Sequence, residues 1–120
     1  GRQLGLAFQV VDDILDFTGS DQQLGKPAAS DLASGYLTAP TFYAMEEHAG
    51  LQSLISREFS QEGDLDQALN MVRSSRAIPR TRELAETFAR EAREAIAWLS
   101  DSPSKSALLE LPDFVLSRLY

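Results

Sequence analysis

Gln9-Val10-Val11-Asp12-Asp13-Ile14-Leu15-Asp16 puts three carboxylates into one short, otherwise apolar stretch. Set on an α-helix at about 100° per residue, Arg2, Gly5, Gln9, Asp12, Asp13, Asp16 and Ser20 fall within an arc of roughly 100°. Leu4, Leu6, Ala7, Phe8, Val10, Val11, Ile14, Leu15 and Phe17 occupy the rest, with Gln3 and Thr18 as the polar interruptions. A surface helix normally shows a narrower apolar stripe and a broader polar face. The pattern therefore predicts a helix buried on most sides, its carboxylates aimed into a polar cavity. Three carboxylates this close repel one another and would protonate or destabilise the fold if buried without compensation. A hard divalent cation is the natural counter-charge. Carboxylate oxygens suit Mg²⁺, which usually takes phosphate oxygens from a substrate as well. The competing reading is an exposed acidic stripe on an ordinary amphipathic helix, and the wide apolar surround argues against it.

The rest of the chain is compatible with that chemistry. Its 120 residues suffice for one domain, and 43% hydrophobic with 24% charged residues is ordinary globular composition. A net charge of −7 argues against nucleic acid, whose phosphates need a basic surface. No run of about 18 apolar residues is present, so no membrane-spanning segment is expected. Cysteine is absent, which removes disulfides and thiolate chemistry and is compatible with a reducing compartment. Gly1-Arg2-Gln3-Leu4 already belongs to the helical pattern, with no initiator Met, signal peptide or capping residue before it. The expectation is that the chain is the C-terminal part of something longer.

Six helical segments are predicted. The first runs to about Phe17. A glycine-rich loop, Gly19 to Gly35, follows it, with a possible short turn of helix near Ala28–Leu32. The second, Ala39–His48, has Pro40 in its first turn and Gly50 as a C′ residue. The third covers Leu51–Ser60 before the break at Gly63. Asp64-Leu65-Asp66-Gln67 reads as a capping box opening the fourth, to about Ser75. Pro79 opens the fifth, to about Leu99, with Phe88 and Trp98 expected in the core and an Arg/Glu face from 80 to 94 expected to be solvated and to form i,i+4 pairs. Ser102-Pro103 caps the sixth, to about Leu119, which Pro112 should interrupt or kink. No stretch alternates at period two. The fold class is all-α, a helical bundle.

Other residues could serve a site beside the aspartates. Gly25-Lys26-Pro27 is not a P-loop: Gly19 and Gly25 are one residue too far apart, Pro27 replaces Ser/Thr, and a helix precedes it. Lys26 can still offer a point charge to a phosphate oxygen. Gln9, one turn before Asp12 and Asp13, could hydrogen-bond a substrate or orient a carboxylate. Asp31, taken alone, reads as a turn or cap residue. His48 lies at a helix C-terminus, where an imidazolium is mildly favoured, and is given no catalytic role.

Together, Phe8-Gln9-x-x-Asp12-Asp13-x-x-Asp16, Gly25-Lys26-Pro27-x-x-x-Asp31-Leu32 and Gly35-x-x-Thr38-x-Pro40 resemble the trans-isoprenyl diphosphate synthase family. The first motif is similar to that family's second aspartate-rich motif. The ending Leu111-Pro112-x-x-Val115-Leu116-Ser117-Arg118-Leu119-Tyr120 is similar to its long-chain members, particularly the solanesyl-type synthases of cyanobacteria and plastids. The resemblance implies a prenyltransferase that elongates an allylic diphosphate with isopentenyl diphosphate. In that family, Mg²⁺ ions held by two facing aspartate-rich helices neutralise the departing diphosphate, a poor leaving group otherwise. Carried onto this chain, Asp12, Asp13 and Asp16 hold Mg²⁺, Lys26 contacts the allylic diphosphate, Gln9 lines the pocket and Asp31 supports it. Tyr36 stands where many members have a diphosphate-binding lysine, a charge it cannot supply. The first aspartate-rich motif and the basic residues for isopentenyl diphosphate are absent from these residues.

Residues 1–120 are then expected to be the C-terminal part of one prenyl synthase domain, inactive alone. When full length it should be a soluble homodimer of the cytoplasm or plastid stroma. Two other functions compete: a class I terpene cyclase, against which Lys26 and the Gly25–Pro40 segment speak, and a non-catalytic helical partner subunit, against which the complete Asp12-Asp13-x-x-Asp16 speaks.

Overall fold

The computed structural model describes residues 1–18 and 29–119, and among these every regular element is helical. In chain order they are α1 (Arg2–Thr18), α2 (Ser30–Ala33), α3 (Ala39–Glu47), α4 (Gly50–Ser56), α5 (Asp64–Ser74), α6 (Ala77–Glu94) and α7 (Pro103–Ser117). The all-α expectation holds. No helix among the described residues is long and apolar enough to cross a membrane.

Two compact units partition the chain, one of Asp13–Thr81 and one of Gly1–Asp12 with Arg82–Tyr120. In the first, Phe17, Ala29, Leu32, Ala44, Leu51, Leu54, Ala68, Val72 and Ala77 form a continuous buried cluster. Small residues at Ala44, Ala68 and Ala77 suit close packing of helix backbones, and the larger side chains fill the space between them. In the second unit the buried positions are Ala7, Val10 and Val11 of α1, Ala85 and Ala89 of α6, and Pro112 and Val115 of α7.

Several helix ends differ from their sequence-based positions, each for a local reason. Gly63, in the left-handed region at φ +83°, is the N-cap of α5, not Asp64. The Asp64 carboxylate is instead occupied by Arg57, at 2.8 and 2.5 Å, and by the Gln61 amide at 3.0 Å. Nor is Gly50 a C′ residue: extended backbone at His48 ends α3, and Gly50 begins α4. That helix closes early because Glu58 and Phe59 turn left-handed, the Phe59 amide donating back to the Leu54 carbonyl at 3.2 Å.

Helix α6 starts before Pro79, because the Ser75 hydroxyl accepts the Ala77 amide at 3.0 Å and Glu47 accepts the Arg76 amide at 2.9 Å. Pro79 then sits in the first turn, where a missing N–H costs nothing. The helix ends at Glu94, not Leu99, giving way to turns of i to i−3 bonds at Ile96, Ala97 and Leu99. Lys105 Nζ satisfies two of the freed carbonyls, Ala97 at 3.0 Å and Leu99 at 2.7 Å. Trp98 therefore leaves the core and is 80% exposed, its indole N–H donating to the Ala95 carbonyl at 2.9 Å, while Phe88 is half-buried. The arginines of α6 reach other helices as well: Arg80 pairs with Glu46 at 2.6 Å and stacks over Tyr43, and Arg93 pairs with Asp113.

At the last helix, Ser102 caps as expected, its hydroxyl accepting the Lys105 amide at 3.0 Å. Pro112 does not interrupt α7, which runs through it. The carbonyl that Pro112 leaves without an amide belongs to Leu108, an exposed residue whose backbone can turn to water.

Candidate functional site

Helix α1 carries the candidate site. The centre of its apolar arc is buried, with Ala7, Val11, Ile14 and Phe17 essentially inaccessible. Burial on most sides, however, is not what the structure has. Leu6 and Phe8 are exposed, and Leu4 and Leu15 only partly covered. At 100° per residue Leu6 and Phe8 border the polar arc on its two sides, so they lie where cover runs out.

Along the polar arc the environment changes from turn to turn. Gln9 is exposed and Asp12 and Asp13 are half-buried. Asp12 Oδ1 accepts from an Arg118 terminal nitrogen at 2.8 Å, and the Arg118 guanidinium lies 4.8 Å from the centroid of the Phe8 ring. Asp16 is 1% exposed. Its two carboxylate oxygens accept from the Ser30 hydroxyl at 3.4 Å and the Asp31 amide at 3.3 Å. Its carbonyl accepts the Ala29 amide at 2.6 Å. Although Asp16 occupies the middle of the arc, the returning chain at 29–31 covers it, fixing a turn in which Ala29 adopts φ +59°. A carboxylate accepting amide and hydroxyl donors at a helix start acts as a cap does.

The Phe17 carbonyl, at the end of α1, accepts two donors from Arg73 of α5, at 3.0 and 2.8 Å. Asp31 is the second residue of α2, and its carbonyl accepts the Tyr36 amide at 2.8 Å. The Tyr36 side chain is 68% exposed. Lys26, with its neighbours Gly25 and Pro27, lies outside the described residues.

The motif aspartates thus share one helix and one arc, but their surroundings divide them. Among the described residues no three acidic or histidine side chains converge on a point that could hold a metal ion. The donor chemistry still suits a hard cation, since Mg²⁺ is ordinarily bound by one or two carboxylates with the remaining oxygens supplied by phosphate and water. Asp12 and Asp13, half-buried and adjacent in sequence, carry carboxylates that could serve as such donors. A cavity of about 340 Å³ lined by Ala33, Ser34, Gly35, Ile55, Glu58 and Phe59 includes none of the candidate residues.

Sequence reasoning missed Arg118, Ser30 and Arg73. Spacing could not reveal them, because each acts across the chain. Arg118 did stand in the C-terminal pattern, but with nothing to connect it to Asp12.

Residues 1–72 match the family model described as polyprenyl synthetase. A prenyl transferase of Synechocystis sp. is 54% identical over 120 residues, all of this chain and 37% of that protein. Solanesyl diphosphate synthase 2, chloroplastic, of Arabidopsis thaliana is 46% identical over 119 residues, 99% of this chain and 28% of that protein. Among solved structures, the apo form of an Arabidopsis medium/long-chain length prenyl pyrophosphate synthase matches with a TM-score of 0.86 at 40% identity, over 100% of this chain and 42% of the other. A polyprenyl synthase from Caulobacter crescentus, crystallised with calcium and isoprenyl diphosphate, matches with a TM-score of 0.83 at 35% identity, over 96% of this chain and 37% of the other. The chain spans well under half the length of these relatives.

Proposed function

The chain belongs to the polyprenyl synthetase family, and on that premise we propose that it contributes the metal-binding helix of a prenyltransferase that elongates an allylic prenyl diphosphate with isopentenyl diphosphate. The observation that carries this reading is the polar arc of α1, with Asp12 and Asp13 half-buried at its open part and Asp16 locked under the 29–31 turn. Relatives named prenyl transferase and solanesyl diphosphate synthase support it. In the same reading residues 1–120 are the C-terminal part of one prenyl synthase domain, homodimeric when full length. Its compartment is the cytoplasm or a plastid stroma, the latter supported by relatives named chloroplastic.

Asp12 and Asp13 offer carboxylate oxygens to Mg²⁺. Asp16 completes the family pattern, and its own hydrogen bonds fix the turn that follows Gly25-Lys26-Pro27 in the sequence. When bound, Mg²⁺ supplies the positive charge that makes diphosphate a competent leaving group. Lys26 adds a fixed charge for a phosphate oxygen. Gln9, exposed one turn before Asp12 and Asp13, is placed to hydrogen-bond substrate. Asp31 and Tyr36 support the same edge, joined by their backbone hydrogen bond.

The test is turnover of the full-length protein with Mg²⁺, geranylgeranyl diphosphate and labelled isopentenyl diphosphate. Labelled product should form, vanish on chelation, and fall by about a hundredfold or more in Asp12→Ala, each ~1.4 kcal/mol of lost transition-state stabilisation being about tenfold. Asp12→Ala turnover within a few-fold of the unsubstituted enzyme would overturn the assignment.

A further inference from the structure

Arg118 reaches Asp12 in a geometry defined from three directions. One terminal nitrogen donates to Asp12 Oδ1 at 2.8 Å. The guanidinium carbon lies over the Phe8 ring, 4.8 Å from its centroid. The Arg118 backbone caps α7, its amide donating to the Val115 and Leu116 carbonyls. Phe8 and Asp12 are one turn apart on α1, so one guanidinium reaches both the ring and the carboxylate. This arrangement gives a use to a phenylalanine that is 47% exposed. Arginine suits it as lysine would not, because a planar fork can stack and donate at once.

We propose that Arg118 is a positioning residue for Asp12: a resident counter-cation that holds the carboxylate while no metal is bound and that an incoming divalent cation must displace or share. The inference rests on the metal reading given above. An acidic side chain beside other carboxylates on one helical arc is disfavoured in its charged form, and an adjacent cation offsets this. With Arg118, one oxygen is engaged and the side chain is held in one orientation. Both partners are about one-third exposed, 34% for Arg118 and 37% for Asp12. A pair of that exposure is weak, and so a metal can compete with it. Arg118 therefore opposes uptake of a bare cation, by occupying Asp12 and by like-charge repulsion.

Binding of Mn²⁺ alone to the full-length protein, with no diphosphate present and free ion counted by electron paramagnetic resonance, tests this without turnover. Arg118→Gln should bind Mn²⁺ about two- to fivefold more tightly, the range set by an ion pair about one-third exposed. Arg118→Lys, which keeps the charge but not the planar fork, should shift affinity less than Arg118→Gln and in the same direction. Phe8→Leu, which removes the platform and leaves the charge, should shift affinity less than Arg118→Gln and in the same direction. The double variant should match Arg118→Gln alone, a non-additivity that two independent structural defects would not produce. Circular dichroism confirms that each variant folds, and Phe8→Leu carries the test if Arg118→Gln does not. Equal or weaker Mn²⁺ binding in both Arg118→Gln and Phe8→Leu overturns the proposal alone. Absence of Mn²⁺ binding by the unsubstituted protein overturns the metal reading, and the proposal with it.

Discussion

The Arg73 guanidinium donates to the backbone carbonyl of Phe17 through Nε at 3.0 Å and a terminal nitrogen at 2.8 Å. Phe17 follows Asp16 directly, and its carbonyl is one of the last four of α1, which have no amide partner within the helix. A cation at this end also complements the helix dipole.

Arg73→Ala should therefore destabilise the fold by about 1.5–2 kcal/mol, the lower part of the range for hydrogen bonds to charged groups because Arg73 is exposed. Arg73→Lys should recover part of the loss, since a single ammonium cannot reproduce the forked geometry. Urea denaturation measures both, and an unchanged midpoint for Arg73→Ala would show that water caps α1 equally well.

Thr41 of α3 is fully buried, and its hydroxyl has no hydrogen-bond partner among the described residues. A buried hydroxyl without a partner costs free energy that an isosteric methyl does not. Thr41→Val should leave stability unchanged or raise it by up to about 1 kcal/mol. A lower melting temperature in the variant would mean that the hydroxyl has a partner in solution.

Acid should act on Asp64. The hydrogen bond from Arg57, aided by the Gln61 amide and opposed by burial, holds its carboxyl below the ordinary value of 3.8. A carboxylate with a depressed folded pKa stabilises the fold above its unfolded pKa, and that stabilisation disappears as pH falls through the folded value. Asp64→Asn should thus be less stable than the unsubstituted protein at neutral pH, and the gap should begin to close below pH 3.8. Urea midpoints at about pH 7 and pH 2.5 compare the two conditions. A gap of the same size at both would remove Arg57 as the cause.

Tyr36 is 68% exposed and carries no charge where a lysine could stand. Under the proposed function, Tyr36→Lys should tighten allylic diphosphate binding by no more than about fivefold, because a charge so exposed is screened. Calorimetry with Mg²⁺ present reads the change. Unchanged or weaker affinity would show that position 36 does not face the diphosphate.

Periodicity determined the all-helical class and the polar arc of α1, and cap chemistry the Ser102–Pro103 start of α7, because each depends on residues within a turn or two of one another. The same local logic set the Asp12-Asp13-x-x-Asp16 pattern and, with the motifs up to Pro40, the family. It failed where an end is decided by a distant group. Asp64 looks like an N-cap until Arg57 takes its carboxylate. Trp98 looks like core until Lys105 collects the carbonyls of turns that replace the last helical residues.

Only tertiary structure separated the aspartates. On a helical wheel Asp16 lies between Asp12 and Asp13, so spacing makes the three equivalent. In the fold, the chain returning at 29–31 buries Asp16 and takes up its oxygens, while Arg118, from the opposite end of the sequence, pairs with Asp12. A helix fixes the direction in which each side chain leaves its axis. What meets that side chain is set by packing between segments far apart in the chain, and no spacing within the motif encodes it.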